Sequence, residues 1–208
     1  MSLEATNSNK NFITQVSSGE EWVLGEENKA LKTERKLGYI YKRYTMDNNF
    51  QVVVRVEADS YQKDANSEKK KFCLVRALNE YDLGNEWRKK LTGNRGAVLT
   101  SEMRTNSSKV IKWLIQANLL ETETIKLGFV SRANQKESTK HVTLGVDNFS
   151  DKELAAILKF KMKECWILIK YIIDFLVKQP NGKYGLVKLP FKSQVTIFRI
   201  PEQKKEEP

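Results

Sequence analysis

The spacing of apolar residues changes along this chain, and these changes constrain its fold more than any single motif does. Apolar and polar residues alternate over residues 37–46, 50–59 and 71–78, a pattern typical of β-strands. From Ser107 onward, apolar residues recur at helical spacing as far as Leu120. Strand signals and helix signals are therefore interspersed, which predicts a mixed α+β domain with a largely antiparallel sheet.

In the second half of the chain, segments with helical spacing of apolar residues again alternate with strand-like segments. Ser150 to Glu153 form a capping box, which predicts the start of a short helix that ends near Leu158. A longer helix over residues 163–178 is apolar on most sides, so we expect it to lie buried at the centre of the domain. Strands are predicted at three further groups of positions: residues 125–132 with 141–146, 183–189, and 194–200.

Three segments define the predicted domain organisation. Residues 1–36 are expected to form a short helix up to about residue 16, followed by an irregular, charge-rich segment. Residues 37–201 form the α+β core, and residues 202–208 form a charged tail. Residues 60–70 are densely charged and long for a hairpin loop, so we expect them to be mobile.

Charge, cysteines and hydropathy narrow the class of protein. The 208 residues carry a formal net charge of +10, which favours a polyanionic partner such as RNA. Cys73 and Cys165 lie among apolar residues and are interpreted as buried free thiols, as in a reducing compartment. The chain has no signal-like start and no apolar run long enough to cross a membrane. We expect a soluble cytoplasmic protein without a membrane partner.

Two carboxylates lie two residues apart on one predicted strand, and they resemble half of a metal site. Glu57 and Asp59 project from one strand face, and the expected hairpin partner carries Leu74 and Arg76. Some metal-dependent phosphodiesterases have a Glu-x-Lys on that second strand. Leucine cannot ligate a metal, and arginine is not readily deprotonated. Ion pairing among these acids, Arg55 and Arg76 explains the same residues more simply than a metal site does, and we expect no cofactor.

Aromatic and cationic residues are candidates for nucleic-acid contact. The run from Tyr39 to Tyr44 places tyrosines beside Lys42 and Arg43, a composition suited to stacking bases and neutralising phosphates. Because side chains alternate in direction along a strand, Arg43 shares a strand face with Tyr39, and Lys42 lies on the other face. Trp22 and Trp87 have polar surroundings and are the better stacking candidates for a methylated guanine, whereas Trp113 and Trp166 are expected in the core. His141, the single histidine, is expected to have a structural role.

Several strings in the chain occur together and in the same order in one known family. They are Arg76-Ala77-Leu78-Asn79-Glu80, Glu86-Trp87-Arg88-Lys89-Lys90-Leu91, Arg95-Gly96-Ala97-Val98, Lys126 to Arg132, His141 to Gly145, Gly182-Lys183-Tyr184, and Val195 to Pro201. By these strings the chain resembles the zeta subunit of eukaryotic translation initiation factor three.

The resemblance implies a fold similar to the decapping exonucleases, forming part of a cup around the messenger RNA 5′ cap. Glu57 and Asp59 would then be vestigial metal ligands, with Gln116 at another polar position of the nuclease pattern. The factor subunit is regarded as non-catalytic. Near the start, Thr6 and Asn9 match a family helix implicated in cap recognition, whereas Lys10 replaces a histidine.

The implied function is messenger RNA 5′ cap and RNA binding and recruitment of the small ribosomal subunit, together with the other subunits of initiation factor three. The candidate cap- and RNA-binding residues are Thr6, Asn9, Lys42, Arg43, Trp87 and Arg132. Two alternatives stay open: a metal-dependent decapping or 5′-end nuclease using Glu57, Asp59 and Gln116, and a remnant that only docks on other factor subunits. The family's N-terminal half and its long acidic tail do not occur in these residues, so a fragment or a shortened paralogue is expected.

Overall fold

The fold is that of a computed structural model. It describes most of the chain, with gaps between the following ranges: residues 2–17, 19–20, 22, 38–47, 50–63, 67, 69–80, 86–122 and 124–201. The turn at Asn48 and Asn49, nearly all of the irregular segment before residue 37, and the charged tail 202–208 lie outside the described residues.

The chain divides into two compact units, residues 1–162 and residues 163–208. The first unit contains seven strands and five helices among its described residues. In chain order they are α1 (Ser2–Val16), β1 (Gly38–Asp47), β2 (Phe50–Ala58), β3 (Tyr61–Lys63), β4 (Lys70–Phe72), β5 (Leu74–Asn79), α2 (Trp87–Gly93), α3 (Arg95–Thr105), α4 (Ser107–Leu120), β6 (Thr124–Arg132), β7 (His141–Ser150) and α5 (Asp151–Leu158).

Three sheets organise the first unit. β1 and β2 form an antiparallel pair, and β3 and β4 form a second one. The third sheet has the order β5-β6-β7, in which β5 runs parallel to β6 and β6 runs antiparallel to β7. The parallel pair is possible because α2, α3 and α4 intervene between β5 and β6, which gives the chain enough length for a crossover. The α+β class with mostly antiparallel pairing is confirmed.

The core of the first unit lies between the sheets and α4. Leu114 and Ala117 of α4 are fully buried, as are Leu127 and Phe129 of the central strand β6. The predicted helix from Ser107 is confirmed, since its apolar positions form one continuous buried stripe. Burying a leucine of this kind contributes about 2 kcal/mol, so this stripe is a large share of what holds the unit together.

Helix α1 covers the open edge and face of β5. The Asn9 side-chain oxygen accepts a hydrogen bond from the backbone N–H of Ala77 at 2.8 Å, which satisfies a donor on the free side of that strand. Phe12 is 1% exposed, and a Cβ at Gly128 would lie 2.3 Å from its ring. Glycine is therefore required at residue 128 for the helix to approach the sheet this closely.

The capping box at the start of α5 is confirmed. The Ser150 side-chain oxygen accepts a hydrogen bond from the Glu153 N–H at 3.2 Å, and the Glu153 carboxylate accepts one from the Ser150 N–H at 2.7 Å. The bonds that the Ser150 backbone N–H and hydroxyl donate to the carboxylate lower the pKa of Glu153.

Among its described residues, the second unit contains one helix and one hairpin. They are α6 (Met162–Leu176), whose first residue is the last of the first unit, and the antiparallel strands β8 (Lys183–Lys188) and β9 (Val195–Ile200). The strands agree with the predicted ones. The predicted central burial of the helix is wrong, because no residue of α6 is buried. A helix that is apolar on most sides needs apolar surface around it, and the described part of this unit supplies only a single hairpin besides the helix.

Two further expectations are corrected. The strand that carries Leu74 and Arg76 is not the hairpin partner of β2, because β2 pairs with β1 and β5 pairs with β6. The hairpin is confined to β3 and β4 and ends where the Cys73 N–H donates to the Ser60 carbonyl at 3.2 Å. The loop expected at residues 60–70 thus begins and ends as short strands, while residues 64–66 and 68 lie outside the described part.

Candidate functional site

The fold gives the two carboxylates that the sequence presents as a pair, Glu57 and Asp59, different surroundings. Arg76 forms an ion pair with Asp59. Arg76 is 8% exposed, and its Nη1 atom donates to Asp59 Oδ2 at 2.7 Å. Its Nη2 atom donates to the Gln116 side-chain oxygen at 2.8 Å, while the Gln116 amide donates to the Glu57 backbone carbonyl at 3.1 Å. The pairing of Arg76 with Asp59 is confirmed, and Gln116 on α4 completes a buried polar cluster.

This cluster does not fit a divalent metal. A guanidinium lies against one carboxylate oxygen of Asp59, in the place where a cation would sit, and its positive charge already balances that carboxylate. The other oxygen, Oδ1, is buried without a hydrogen-bond partner among the described residues. The Glu57 side chain is exposed on the outer side of β2. Within the described ranges, no three His, Cys, Asp or Glu side chains are grouped closely enough to hold a metal ion.

The β1–β2 pair has one packed face and one exposed face, as the sequence predicts. On the packed face, Ile40 and Val56 contact the core. On the other face lie Tyr39, Tyr41, Arg43, Val53 and Arg55, which we call the outer ribbon face. The register places Tyr41 opposite Arg55 and Arg43 opposite Val53. The Arg55 guanidinium lies 4.7 Å from the centre of the Tyr39 ring.

Lys42 lies on the packed side of β1, away from the outer ribbon face. Its ammonium group pairs with Glu121 at 2.8 Å, and its side chain is 19% exposed. Arg43 is exposed. The fold thus separates two neighbouring cations that the sequence groups together.

A second charged cluster joins α1 to the end of the three-stranded sheet. The Glu4 carboxylate accepts hydrogen bonds from Arg132 Nε at 2.7 Å and Nη2 at 2.8 Å, and it lies 3.0 Å from His141 Nε2. The hydrogen bond from Arg132, followed by that from His141, lowers the pKa of Glu4 to about 2 in spite of partial desolvation. The same bond raises the pKa of Arg132. A bidentate pair of this kind fixes the first turn of α1 against β6 and β7.

With this geometry in place, comparison with known proteins identifies the family. Residues 1–199 match the family described as eukaryotic translation initiation factor 3 subunit 7, eIF-3 zeta. The chain belongs to this family.

Individual relatives agree with the assignment to the eIF-3 zeta family. The chain is 35% identical to the D subunit of eukaryotic translation initiation factor 3 from Nasonia vitripennis over 97% of its length, which is 38% of that relative. It is 37% identical to the corresponding protein of Pyricularia oryzae over 95% of its length, again 38% of that relative. The chain therefore spans somewhat more than a third of the length of these relatives.

A solved structure of lower similarity was also found. The crystal structure of Candida albicans Rai1 in complex with pU5-Mn2+ covers 79% of this chain and 41% of that chain, at 16% identity and a TM-score of 0.47. A similarity at this level says nothing about what this chain binds.

The candidate cap- and RNA-binding residues, predicted from the eIF-3 zeta resemblance and from the composition, have different surroundings in the structure. Thr6 is exposed on α1. Asn9 is half-buried, and its side chain caps the edge of β5. Arg132 is paired with Glu4 and is 28% exposed. These contacts are internal, so binding of RNA by Asn9 or Arg132 would compete with bonds that hold α1 in place.

Trp87 was expected in polar, accessible surroundings, and this expectation is wrong. Its side chain is 2% exposed and packs edge-on against Phe129, with ring centres 5.8 Å apart. The reason is that α2 begins at Trp87, so the apolar side of a short helix carries this ring into the core. Trp22 is half-buried and stacks on Phe72 at 4.9 Å.

The other aromatic and thiol predictions have mixed outcomes. Trp113 is buried, as expected, whereas Trp166 on α6 is half-buried. Cys73 is buried, which raises the pKa of its thiol to about 11, and Cys165 is half-buried with a raised pKa.

Sequence reasoning missed the roles of Glu4 and Arg55. Glu4 lies more than a hundred residues from Arg132 and His141 along the chain, and no local pattern marks the contact. The position of Arg55 opposite Tyr41 could have been predicted, because a short turn after Asp47 fixes the register of β1 and β2. None of the helices in the described part of the chain is long and apolar enough to cross a membrane.

Proposed function

We propose that this chain acts in cytoplasmic translation initiation by binding RNA and protein, without catalysing a reaction. Its ligands are the 5′ cap region of messenger RNA and the small ribosomal subunit, and its partners include other subunits of initiation factor 3. Membership of the eIF-3 zeta family supports the assignment to initiation. The net charge of +10 favours the RNA ligand.

The contact between Arg76 and Asp59 carries the non-catalytic part of the proposal. A metal-dependent nuclease needs a fixed divalent ion that can activate water. Here a nearly buried guanidinium lies 2.7 Å from the carboxylate that would hold the ion, and Leu74 and Arg76 stand in place of the second acid and the lysine. Removing the arginine would leave a buried charge unpaired, so the pair resists replacement by an ion.

The nuclease alternative is tested with 5′-labelled capped and uncapped RNA in the presence of Mg²⁺ or Mn²⁺. We expect the purified chain to release no more product than its Asp59→Ala variant does. Metal-dependent cleavage that Asp59→Ala abolishes would overturn the proposal. The Glu137→Ala variant, which changes an exposed acid far from the cluster, serves as the preparation control.

Cap contact is tested by ultraviolet crosslinking of the chain to RNA labelled beside the cap. We expect crosslinking that a cap analogue reduces and an uncapped dinucleotide does not. Equal competition by both would remove the cap from the proposal and leave RNA binding. Absence of any crosslink, with the folded chain verified by circular dichroism, would remove RNA as well.

The exposed apolar surface of the second unit supports protein docking as a further part of this function. On α6, Leu168 is 54% exposed and Tyr171 is 72% exposed, and Phe191 between β8 and β9 is fully exposed. Leu168 and Tyr171 are three residues apart on one helix and share a face, and an exposed apolar face is typical of protein interaction sites. In reconstitution with purified initiation factor 3 subunits, we expect Leu168→Glu to abolish association and Lys170→Glu, a neighbouring exchange of a cation, to have a smaller effect.

A further inference from the structure

We propose that the outer ribbon face, formed by Tyr39, Tyr41, Arg43, Val53 and Arg55, is a binding surface for single-stranded RNA. The inference rests on the RNA contact in the proposed function and specifies where that contact is made and what form of RNA it accepts. Four features of the β1–β2 pair carry it: exposed aromatic rings, adjacent cations, the acid Glu57 near Tyr39, and the spacing of a strand.

The aromatic rings of the outer ribbon face are available to a ligand. Tyr41 is 66% exposed and Tyr39 is 42% exposed, and Val53 beside them is 64% exposed. The opposite face of the same strands supplies Ile40, Val54 and Val56 to the core, so the packing of the β1–β2 pair does not use the tyrosines. Exposed rings on a sheet can stack on bases of any sequence, because every base has a π-face.

The cations of the outer ribbon face stand where a stacked strand would place its phosphates. Arg55 is directly opposite Tyr41 in the strand register, and its guanidinium lies over the Tyr39 ring, so its positive charge is adjacent to the exposed aromatic surface. Arg43 lies on the same face two residues beyond Tyr41. Both groups can pair with phosphate oxygens, which arginine binds through parallel N–H groups.

Glu57 marks one end of the surface. It is exposed and directly opposite Tyr39, at the end of β1 farthest from Arg43. A carboxylate repels phosphates at short range, so the strand of RNA should run from Tyr39 toward Arg43 and not past Glu57. In a nuclease, the same glutamate would hold a metal and its loss would reduce activity. On the outer ribbon face, its neutralisation should strengthen RNA binding.

The spacing of the tyrosines selects single strands. Residues two apart on a strand are separated by about 6.8 Å, which is twice the rise of about 3.4 Å per nucleotide along one strand of a duplex. Successive bases must therefore separate to meet successive tyrosines. A duplex keeps its bases stacked on one another and offers this face only its backbone.

The test measures the fluorescence anisotropy of a labelled oligo(U) of about 12 nucleotides, a length within the usual range for such surfaces. A duplex of the same length is the second probe. We expect Tyr41→Ala to weaken oligo(U) binding about 5- to 150-fold, the range for loss of one base stack, and Tyr41→Phe to retain it. Tyr171→Ala, which removes a similarly exposed ring from α6, is the matched control and should leave oligo(U) binding unchanged.

Two charge variants test the direction of the strand. We expect Arg43→Gln to reduce the slope of log affinity against log salt by about 0.7, the value for one phosphate contact on a single strand. Glu57→Gln should tighten oligo(U) binding about twofold, a modest change because the charge is exposed. Both variants are measured at several salt concentrations beside the wild-type chain.

The possible outcomes distinguish failure of this inference from failure of the proposed function. If the chain binds oligo(U) and Tyr41→Ala behaves like Tyr171→Ala, or if the duplex binds as tightly as the single strand, the outer ribbon face is refuted and RNA binding elsewhere stands. If the wild-type chain binds neither probe, the RNA part of the proposed function fails together with this inference. Weakening by Tyr41→Ala but not by Tyr171→Ala, with preference for the single strand, supports both.

Discussion

Two helices of similar length have opposite surroundings. Helix α4 places Val110, Leu114 and Ala117 in a core that excludes water completely, whereas the more apolar α6 has no buried residue. The difference lies in what surrounds each helix. The first unit surrounds α4 with the strands β2 and β5 and the helices α3 and α5, while the described part of the second unit offers α6 a single hairpin. Apolar composition thus predicts the need for burial and does not supply the partner surface.

The largest expected effect on the free energy of unfolding concerns the ion pair between Arg76 and Asp59. Among the described residues, only the first unit contains such a pair away from solvent. Arg76→Ala should lower the free energy of unfolding by about 3 to 5 kcal/mol, because Asp59 would remain buried without a counter-charge. Urea denaturation followed by circular dichroism measures this change. The control is Arg55→Ala on the outer ribbon face, where a cost within about 0.5 kcal/mol is expected for an exposed side chain. Equal costs for the two variants would contradict the description of Arg76 as a buried structural cation.

Truncation inside the α4 stripe is the next largest effect. Leu114 is fully buried, so Leu114→Ala should cost about 3 kcal/mol through lost transfer energy and the cavity that remains. The midpoint of urea unfolding reports the loss, with Leu114→Met as a control of similar volume. A cost near that of the methionine variant would show that the core of the first unit is loosely packed.

The Glu4 cluster predicts a pH-dependent contribution to stability. The pKa of Glu4 is about 2 in the folded chain, below its ordinary value of 4.5, chiefly because Arg132 donates hydrogen bonds to it. A depressed pKa stabilises the fold above the unfolded value and loses this effect as pH falls from about 4.5 toward 2. Glu4→Gln should therefore cost about 1 to 2 kcal/mol at pH 7, after allowance for partial exposure, and nearly nothing at pH 2.

Unfolding of Glu4→Gln and the wild-type chain is compared at pH 7, 4 and 2.5, since the expected difference shrinks through this window. The exposed pair of Glu137 with Lys140 provides the control. Glu137→Gln should be close to neutral at every pH. A Glu4→Gln cost that did not change with pH would mean that packing, and not the charge of Glu4, attaches α1 to the sheet.

The smallest effect is expected in α6. Leu168→Ala removes as many atoms as Leu114→Ala does, yet Leu168 is 54% exposed, so the cost should be below about 0.5 kcal/mol. The same urea titration measures it. A cost similar to that of Leu114→Ala would break the comparison, because α6 would then be buried in solution. Size-exclusion chromatography of both variants would show whether self-association buries it.

Local patterns predicted most of the elements and part of the candidate site. The capping box at Ser150, the helix from Ser107 and the alternation along β1 and β2 depend on contacts within a few residues, which any reader of the sequence can count. The same alternation correctly divided Arg43 from Lys42. The sequence predicts one strand over residues 71–78, but Cys73 interrupts it. Before Cys73 the chain pairs with β3 as β4, and after it the chain pairs with β6 as β5.

Distant contacts account for what could not be predicted. The pairing of Arg76 with Asp59 was predicted, but its contact with Gln116 was not. That contact arises because β5 pairs with β6 in parallel and α4 packs beside β5, whereas the sequence suggested a simple hairpin. Trp87 has polar neighbours along the chain and apolar neighbours in space. The partners of Glu4 come from two strands of a sheet that forms far from α1 in sequence.

The sequence alone determined the α+β class, the positions of most helices and strands, the family resemblance and the presence of leucine and arginine at residues 74 and 76. These follow from residue identity and local spacing, which the chain carries in any conformation. Only the tertiary structure decided that Gln116 joins Arg76 and Asp59, that Trp87 is enclosed and that Tyr39 and Tyr41 face solvent. Those outcomes depend on which elements pack together, since burial and charge pairing are properties of neighbours in space.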